Sequence, residues 1–348
     1  GRREAGPAVL MLRPVAADDL DALVTLAREL DSVNLPADAD FLRRRIERSL
    51  KSFRGKLEDR REGVYVFVLE DLATARCIGT SMILAKTGTP EAPYYWLEVS
   101  TEERRSNELD RRFLHTKLRL RSTDDGPTEV GGLILDPAYR RHPSRCGKAL
   151  SVVRFAYISM HPRLFERYVI AEMLSRFEAP GTNLMWDAFG ARFTGLSYRE
   201  ADRLSARTKQ FIADLFPRDP VYATLFPGEV QEVIGRPNDT ARAAVRILEK
   251  VGFHALNQVD PFDGGPYYGA ARDAITTVRE RRELVLPGQP REELAESEPL
   301  ALLSAEGRFG FRATVVSLDA EGTPIVSAHL REALGVGSGD RVSVTPLP

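Results

Sequence analysis

The sequence predicts a mixed α/β fold with one central sheet flanked by helices. Two observations support this prediction. Short apolar runs of strand length alternate along the chain with amphipathic segments of helical period. The 348 residues are 43% hydrophobic and 28% charged, which is enough apolar material for one large core or two unequal ones. The chain therefore fits the layered proteins in which helices cover a sheet.

The first 84 residues predict the order strand, helix, helix, strand, strand. Residues 11–15 form a short strand, and Asp18 caps a helix whose apolar side chains share one face. A second helix is predicted over 39–53. The apolar run 64–69 predicts a strand covered on both faces, and 76–84 predicts its hairpin partner.

The middle of the chain begins with a polar segment. Residues 87–127 look irregular, with one strand at 94–99 and a basic amphipathic piece at 109–120, so we interpret them as an insertion. A clear strand follows over 129–135 and is stopped by Pro137. A helix over 147–160 comes next.

Further strands and helices complete the main unit. We expect a strand over 168–173, a helix at 185–189, a helix over 240–251 ended by Gly252, and a strand from Phe253 onward.

A composition shift after Arg282 predicts a linker and a small C-terminal unit. The stretch 287–299 is rich in Pro, Gly and Glu, as linkers are. We therefore predict a main α/β domain over 10–285 and a small β unit over 300–348, which needs packing help from a neighbour. Its expected strands are 309–316, 324–328 and 341–345.

Charge and composition exclude several classes of function. The formal net charge of −1 supplies no basic field for a phosphate backbone, so nucleic acid is a poor candidate partner. The two cysteines, Cys77 and Cys146, fit reduced thiols in a cytoplasmic protein. No apolar run has the length of a membrane span, so we expect a soluble chain. Whether the residues before Met11 are a native leader is left open.

The segment from Glu129 to Leu150 is the most informative part of the sequence. A strand ends at a turn that is rich in Arg and Lys and leads into a helix containing a glycine in its first turn. Backbone N–H groups at such a helix start, surrounded by cations, suit a pyrophosphate. The alternative is a solvated basic helix start with no ligand. The candidate binding residues are Arg141, Arg145, Gly147, Lys148 and Ala149.

The order of elements around this segment resembles the GCN5-related N-acetyltransferase superfamily. The similar features are the strand–helix–helix–strand–strand start, the Leu-Asp-Pro-x-Tyr-Arg strand end and the Gly-x-Ala helix start at 147–149. The resemblance implies that acyl-coenzyme A lies along the strand and the helix N-terminus. It implies that the N–H groups of Leu133 and Leu135 hold the pantetheine and the thioester carbonyl.

Motifs spread over nearly the whole chain also resemble the arginine N-succinyltransferase family. They are Leu-Pro-Ala at 35–37, Tyr-Val-Phe-Val-Leu-Glu-Asp at 65–71, Leu-Asp-Pro at 135–137, Ala-Glu-Met at 171–173, Lys-Gln-Phe-Ile-Ala at 209–213, Val-Ile-Gly at 233–235, Leu-Glu-Lys-Val-Gly-Phe at 248–253, Asp-Pro-Phe-Asp-Gly-Gly-Pro at 260–266 and the tail at 335–344. This resemblance implies transfer of a succinyl group from succinyl-coenzyme A to the α-amine of arginine.

Several positions depart from that family. The phosphate-binding turn at 141–149 is longer than the usual Gly-Asn-Gly. The family histidine, taken as a proton donor, is absent from Val-Ile-Gly-Arg-Pro-Asn at 233–238, and the family arginine after Ala-Glu-Met is Leu174. The segment 100–105 also differs. We therefore predict a poor or altered arginine succinyltransferase, in which Leu174 favours a less polar acceptor, unless these positions lie outside the pocket.

Direct attack of an amine on a thioester needs a base, because such amines are mostly protonated at neutral pH. Glu129 is our candidate, by analogy with the catalytic glutamate of histone acetyltransferases, and its alternative is a surface carboxylate at a strand end. Asp260 and Asp263 are candidates for holding the acceptor's cation, although aspartates in such turns often accept backbone N–H groups.

No metal is expected, since none of the histidines His115, His142, His161, His254 and His329 has a partner at ligand spacing. His254 follows a helix exit and is a secondary catalytic candidate.

Two other functions remain open at this point. One is acyl transfer to another amine or from another acyl donor, and the other is a non-catalytic acyl-coenzyme A sensor. The expected partners are a small amine and acyl-coenzyme A, and self-association into a homo-oligomer is plausible.

Overall fold

The computed structural model describes residues 9–29, 37–292 and 299–348. The residues 1–8, the Leu35-Pro36 part of one family motif and linker residues 293–298 lie outside these ranges. The strands are β1 Leu10–Pro14, β2 Val64–Asp71, β3 Arg76–Leu84, β4 Tyr94–Ser106, β5 Arg111–Thr123, β6 Thr128–Leu135, β7 Tyr168–Glu172, β8 Val221–Tyr222, β9 His254–Val259, β10 Pro266–Ala271, β11 Arg282–Val285, β12 Leu300–Gly307, β13 Gly310–Ser317 and β14 Arg341–Pro346.

The helices lie on both faces of the strands. They are α1 Leu20–Glu29, α2 Ala39–Phe53, α3 Cys146–Met160, α4 Leu184–Ala188, α5 Gly190–Thr194, α6 Tyr198–Ser205, α7 Gln210–Leu215, α8 Gly228–Val233, α9 Arg242–Lys250, α10 Thr276–Arg279 and α11 Ala328–Leu334. None of the helices described is long and apolar enough to cross a bilayer.

The described strands form one sheet in the order β11-β14-β12-β13-β1-β2-β3-β6-β7-β10-β9-β4-β5-β8. Neighbouring strands in it are antiparallel except β6 and β7, which are parallel. The predicted mixed sheet flanked by helices is therefore confirmed, as is the strand–helix–helix–strand–strand start.

The centre of the sheet is covered on both faces, as the unbroken apolar run of β2 predicts. Tyr65 and Phe67 point toward α3, which is buried along most of its length. Val66 and Val68 alternate with them and pack under Leu42 of α2 on the other face. The period of two residues in a strand explains this division.

The segment 87–127 corrects the prediction of an irregular insertion. Most of it is a long hairpin of β4 and β5 that joins the main sheet through β9. Its polar residues are strand residues whose charges pair across the hairpin: Glu98 with Arg121 at 3.0 Å and Glu102 with Lys117 at 2.6 Å. Cross-strand ion pairs allow a strand to be highly polar, which is why the polar composition of this segment resembles that of irregular structure.

The C-terminal unit also differs from the expectation. The predicted strand at 324–328 is wrong, because Ser327 accepts a hydrogen bond from the N–H of Leu330 and caps helix α11. β12 was not predicted. The unit shares the main sheet, since β13 pairs with β1 at Leu12 and Ala313, and Met11 lies in its core. This packing supplies the help that so small a unit needs. The domain boundary itself stays a prediction.

Candidate active site

A β-bulge lies in the middle of β6, opposite β3. Met82 pairs with Gly131 and Thr80 pairs with Ile134, so β6 has one more residue than β3 in this interval. Gly132 has a φ of +58°, a conformation that glycine adopts without strain. The next residue in the bulge is Leu133, which is half-buried. A bulge takes backbone groups out of the regular ladder, which leaves them available to a ligand.

The parallel pairing of β6 with β7 stops close to its start. The paired positions are Thr128 with Val169 and Glu129 with Ile170. In the part of the chain that the structure describes, β6 from Val130 onward has no ladder on the β7 side. A wedge therefore opens between two central strands, and the bulge lies on its β6 side.

The start of α3 adjoins the end of β6. A Cβ placed on Gly147 would lie 3.9 Å from the Leu135 side chain. The end of β6 and the first turn of α3 are therefore close enough to touch. Leu135 is itself buried. The N-cap residue is Arg145, with a φ of +52°, and Ala149 donates its N–H to the Arg145 carbonyl. The predicted phosphate-binding turn thus lies beyond the bulge along β6.

The basic residues of this turn differ in their surroundings. Arg141 and Arg145 are exposed, whereas Lys148 is half-buried and donates to the main-chain oxygen of Pro348. A phosphate at this helix start would therefore meet two solvent-facing guanidinium groups and one ammonium group that already has a hydrogen bond.

Glu129 lies at the point where β6 and β7 separate, and it is half-buried. Burial raises the pKa of its carboxyl above the ordinary value. The cations Lys209 and Arg45 oppose this rise, and the charge of Asp260 adds to it. The residue is therefore no isolated surface carboxylate, and a raised pKa is the direction that favours a carboxylate acting as a general base.

Three more carboxylates lie close together beside it. Oxygen atoms of Glu172, Asp260 and Asp263 lie within 4.8 Å of one another. Burial raises the pKa of Glu172 well above its ordinary value, and the charges of Asp260 and Glu129 raise it further. Burial and then Asp260 raise the pKa of Asp263 to about 7. We call Glu129, Glu172, Asp260 and Asp263 the acidic cluster.

The two aspartates of the acidic cluster hold the backbone of their own turn. Asp263, which is 1% exposed, accepts the N–H groups of Ser175 and Gly265 at 2.8 Å each. One oxygen of Asp260 accepts the N–H groups of Phe262 and Asp263. Both aspartates therefore have the structural role that their turn predicts, and their role toward an acceptor stays a prediction.

Glu172 was not among the predicted site residues. It lies at the end of β7 on the face that Ile170 and Tyr267 share, and the Tyr267 hydroxyl donates to its Oε2 at 3.2 Å. The hydroxyl of Tyr94, packed edge-on against Tyr267, is buried without a hydrogen-bond partner of good geometry. The available signal was a carboxylate within the apolar strand 168–173, a place where acids are rare unless they are paired.

These carboxylates could also serve as ligands to a divalent cation, because they are oxygen donors within reach of one another. Two of the three already accept backbone hydrogen bonds, and a cationic amine would satisfy the same charges. The absence of a metal requirement remains a prediction.

Two of the positions that depart from the family, Leu174 and Asn238, lie next to each other. The N–H of Asn238 donates to the carbonyl of Leu174 at 2.8 Å. The Asn238 side chain accepts from the hydroxyl of Thr240 and the N–H of Ala241, just before α9. Asn238 therefore stabilises a helix start, and an amide at this position does not replace an ionisable imidazole. His254 is exposed at the start of β9.

A cleft of about 320 Å³ lies on the same face of the sheet, next to the acidic cluster. Tyr94 and Ile170 form its inner wall, and both also pack with Tyr267. None of the residues predicted as site residues lines this cleft.

Known proteins are similar to this chain over nearly its whole length. The family model described as "Arginine N-succinyltransferase beta subunit" matches residues 10–277. An arginine N-succinyltransferase of Citrobacter koseri is 35% identical over 345 residues, which is 97% of this chain and 98% of that protein. One of Escherichia fergusonii is 34% identical with the same coverage. The solved structure of arginine/ornithine succinyltransferase subunit AI from Pseudomonas aeruginosa has a TM-score of 0.83 at 30% identity, covering 98% of this chain and 100% of that one.

The bulged strand, the wedge and the adjoining helix start, together with these relatives, define an acyl-coenzyme A-dependent N-acyltransferase. Its substrates are an amine and an acyl-coenzyme A. The chain belongs to the arginine N-succinyltransferase family.

Proposed function

We propose that this enzyme transfers the succinyl group of succinyl-coenzyme A to the α-amine of arginine in the cytoplasm. The observation that carries this proposal is the acidic cluster at the point where β6 and β7 separate. With an uncharged acceptor, only the cations Lys209 and Arg45 near the edge of the cluster would oppose the charge of these carboxylates, whereas a guanidinium or ammonium group among them pairs with them directly. The prediction that Leu174 favours a less polar acceptor receives no support from this cluster.

In the proposed reaction the amine nitrogen attacks the thioester carbonyl carbon. Glu129 accepts the proton that the α-ammonium group must lose. The N–H groups of Leu133 and Leu135 hold the thioester carbonyl and the pantetheine, and donors fixed in place stabilise the negative charge that develops on the carbonyl oxygen. The C–S bond then breaks, and coenzyme A leaves as a thiolate that takes up the second proton, which the attacking nitrogen loses as the amide forms. The products are the N-succinyl amide and free coenzyme A.

The acceptor is held by Glu172 and Asp260 in this proposal, and Asp263 keeps the turn of Asp260 in place. Carboxylate oxygens of Glu172 and Asp260 lie within 4.8 Å of each other, so one cationic group can contact both. The phosphates of coenzyme A lie at the start of α3, against Arg141, Arg145, Gly147, Lys148 and Ala149. Self-association into a homo-oligomer stays a prediction.

The departures at Leu174 and Asn238 favour a second candidate, which is transfer to a different amine or very slow transfer. The Asn238 side chain already accepts the N–H of Ala241 in the turn before α9, so this position does not supply the proton donor that the resemblance implies. A chain that binds acyl-coenzyme A and transfers nothing would be the sensor described above.

Steady-state thiol release decides between these functions. Arginine, ornithine, lysine and an apolar amine are compared with succinyl-coenzyme A as the donor. The proposal expects arginine to be the best acceptor, with a kcat/KM above about 10⁴ M⁻¹s⁻¹, as for ordinary enzymes. An apolar amine that performs better indicates the altered acceptor, and binding without turnover of any amine indicates the sensor.

A further inference from the structure

Arg45 differs from the other arginines of α2 in its electrostatic surroundings. Arg43 pairs with Asp40 and Arg48 pairs with Glu62, both on the exposed face. Arg45 is half-buried, and among the described residues no carboxylate oxygen lies within 4 Å of its guanidinium. Its neighbours are instead the Phe41 ring, whose centre lies 5.0 Å away, and the Met82 sulfur, 4.0 Å from Nη1.

The contact with Met82 places Arg45 next to the bulge of β6. Met82 pairs with Gly131, and its side-chain atoms lie 3.0 to 3.4 Å from the position that a Cβ on Gly132 would occupy. One methionine side chain therefore spans from the bulge to the guanidinium. The bulge is the place where the proposed function puts the thioester, so Arg45 lies one side chain away from the acyl group.

Charge balance separates Arg45 from the other cation near the site. Lys209 is exposed and interacts with Glu129, Glu172 and Asp260, so the acidic cluster balances its charge. Burial lowers the pKa of the Arg45 guanidinium, and the more distant Glu129 offsets this only in part. A partly desolvated guanidinium is costly unless an anion satisfies it, and Arg45 has no carboxylate partner within 4 Å among the residues that the structure describes.

We propose that Arg45 binds the distal carboxylate of the acyl group and thereby selects a dicarboxylic acyl chain over acetyl. A guanidinium presents parallel N–H donors that match the two oxygens of a carboxylate. A succinyl group extends beyond the thioester carbon and ends in such a carboxylate, whereas an acetyl group has none. This inference rests on the proposed function, because it assigns one end of the same donor.

The test compares Arg45→Gln and Arg45→Lys with Arg44→Gln, a matched control at an exposed position on the same helix. For Arg45→Gln we expect kcat/KM with succinyl-coenzyme A to fall by about 10- to 100-fold, as for loss of a charged hydrogen-bond pair. The value with acetyl-coenzyme A should fall less, because it reports only the loss of the Arg45 charge near Glu129, so the succinyl-to-acetyl ratio should fall. Arg45→Lys should retain part of the preference for succinyl- over acetyl-coenzyme A, since lysine keeps the positive charge but lacks the parallel N–H donors of a guanidinium.

Equal losses with the two donors would overturn the proposal, because Arg45 would then act only through the structure or through its charge near Glu129, and not on the acyl carboxylate. An unchanged succinyl value in Arg45→Gln would overturn it as well.

Binding separates this test from the proposed function. Calorimetry measures the affinity for succinyl- and acetyl-coenzyme A without any turnover. If the wild-type chain transfers nothing to arginine but binds succinyl-coenzyme A more tightly, and Arg45→Gln removes that preference, the proposed function fails while the role of Arg45 stands. If wild type and Arg45→Gln bind the two donors with the same preference, the role of Arg45 is refuted whether or not arginine is the acceptor.

Discussion

The two halves of the proposed site are built differently. The proposed coenzyme A half lies on one continuous stretch, in which β6 leads through a basic turn into α3. The acceptor half combines carboxylates from β6, from the end of β7 and from the turn between β9 and β10. The first half depends on backbone groups at fixed spacing, and the second on side chains that only the folded sheet brings together. An insertion or deletion in the coenzyme A half would therefore disturb the spacing of its backbone groups and weaken ligand binding. In the acceptor half, single side chains can be substituted without changing the backbone.

Glu129 belongs to both halves, so its substitution should have the largest effect. We expect Glu129→Gln to lower kcat by roughly 10²- to 10⁴-fold at pH 7 with little change in acyl-coenzyme A affinity, because a positioned base acts on the rate. The control is Glu98→Gln, which removes a carboxylate on the β4–β5 hairpin. Near-normal turnover in Glu129→Gln would exclude it as the base.

Glu172 tests the acceptor half alone. Replacing it with Gln removes one charged partner of the acceptor, and we expect kcat/KM for arginine to fall roughly 10- to 100-fold. Affinity for succinyl-coenzyme A, measured by calorimetry on the free enzyme, should stay the same. A parallel loss of coenzyme A affinity would show that the two halves are not separable.

Gly147 tests the coenzyme A half. The nearest atom to a Cβ there is 3.9 Å away, so the free enzyme has room for a small side chain. We expect Gly147→Val to weaken acyl-coenzyme A binding about tenfold or more, because the side chain blocks close approach of a pyrophosphate to the backbone. The matched control is Gly228→Val, also at a helix start with open space around it. Unchanged affinity in calorimetry would mean that the phosphate site has been misplaced.

The smallest effect concerns stability against pH. The pKa values of Glu172 and Asp260 are raised in the folded state, and that of Asp263 is raised to about 7. Between the unfolded values near 4 and the raised folded values, the folded state binds more protons, so unfolding free energy falls as pH rises. Each such proton changes it by about 1.4 kcal/mol per pH unit.

Denaturant titrations from pH 4 to 8 measure this slope. Glu172→Gln should make the slope shallower, since it removes one raised group and lessens the repulsion on the others. Stability that rises over this interval in the wild type and in the variant alike would contradict the raised pKa values.

The same contrast explains how far the sequence could be read. The bulge of β6 and helix α3 follow one another in the sequence. Residue spacing and glycine placement therefore predicted β6, the basic turn after it and α3. Glu172 could not be recognised, because its neighbours Tyr267 and Asp260 are distant in the chain and the pairing of β7 with β10 brings them together. The β4–β5 hairpin was missed because its ion pairs cross between strands, which composition does not show. The helix at 328–334 follows from a single serine cap that a short strand-like run obscured.

The pairing of Leu12 with Ala313 has a consequence for how the chain is made. β1 lies between β2, which follows it early, and β13, which the ribosome adds about three hundred residues later. During synthesis the edge of β1 that pairs with β13 stays unpaired until β13 has been made. Contacts of such long sequence separation form slowly. An early-terminated product ending before residue 300 would leave β1 with an open hydrogen-bonding side, which is the geometry that recruits other chains into aggregates. Pairing of β1 on both sides, and with it protection from aggregation, therefore depends on residues 300–348 of this enzyme.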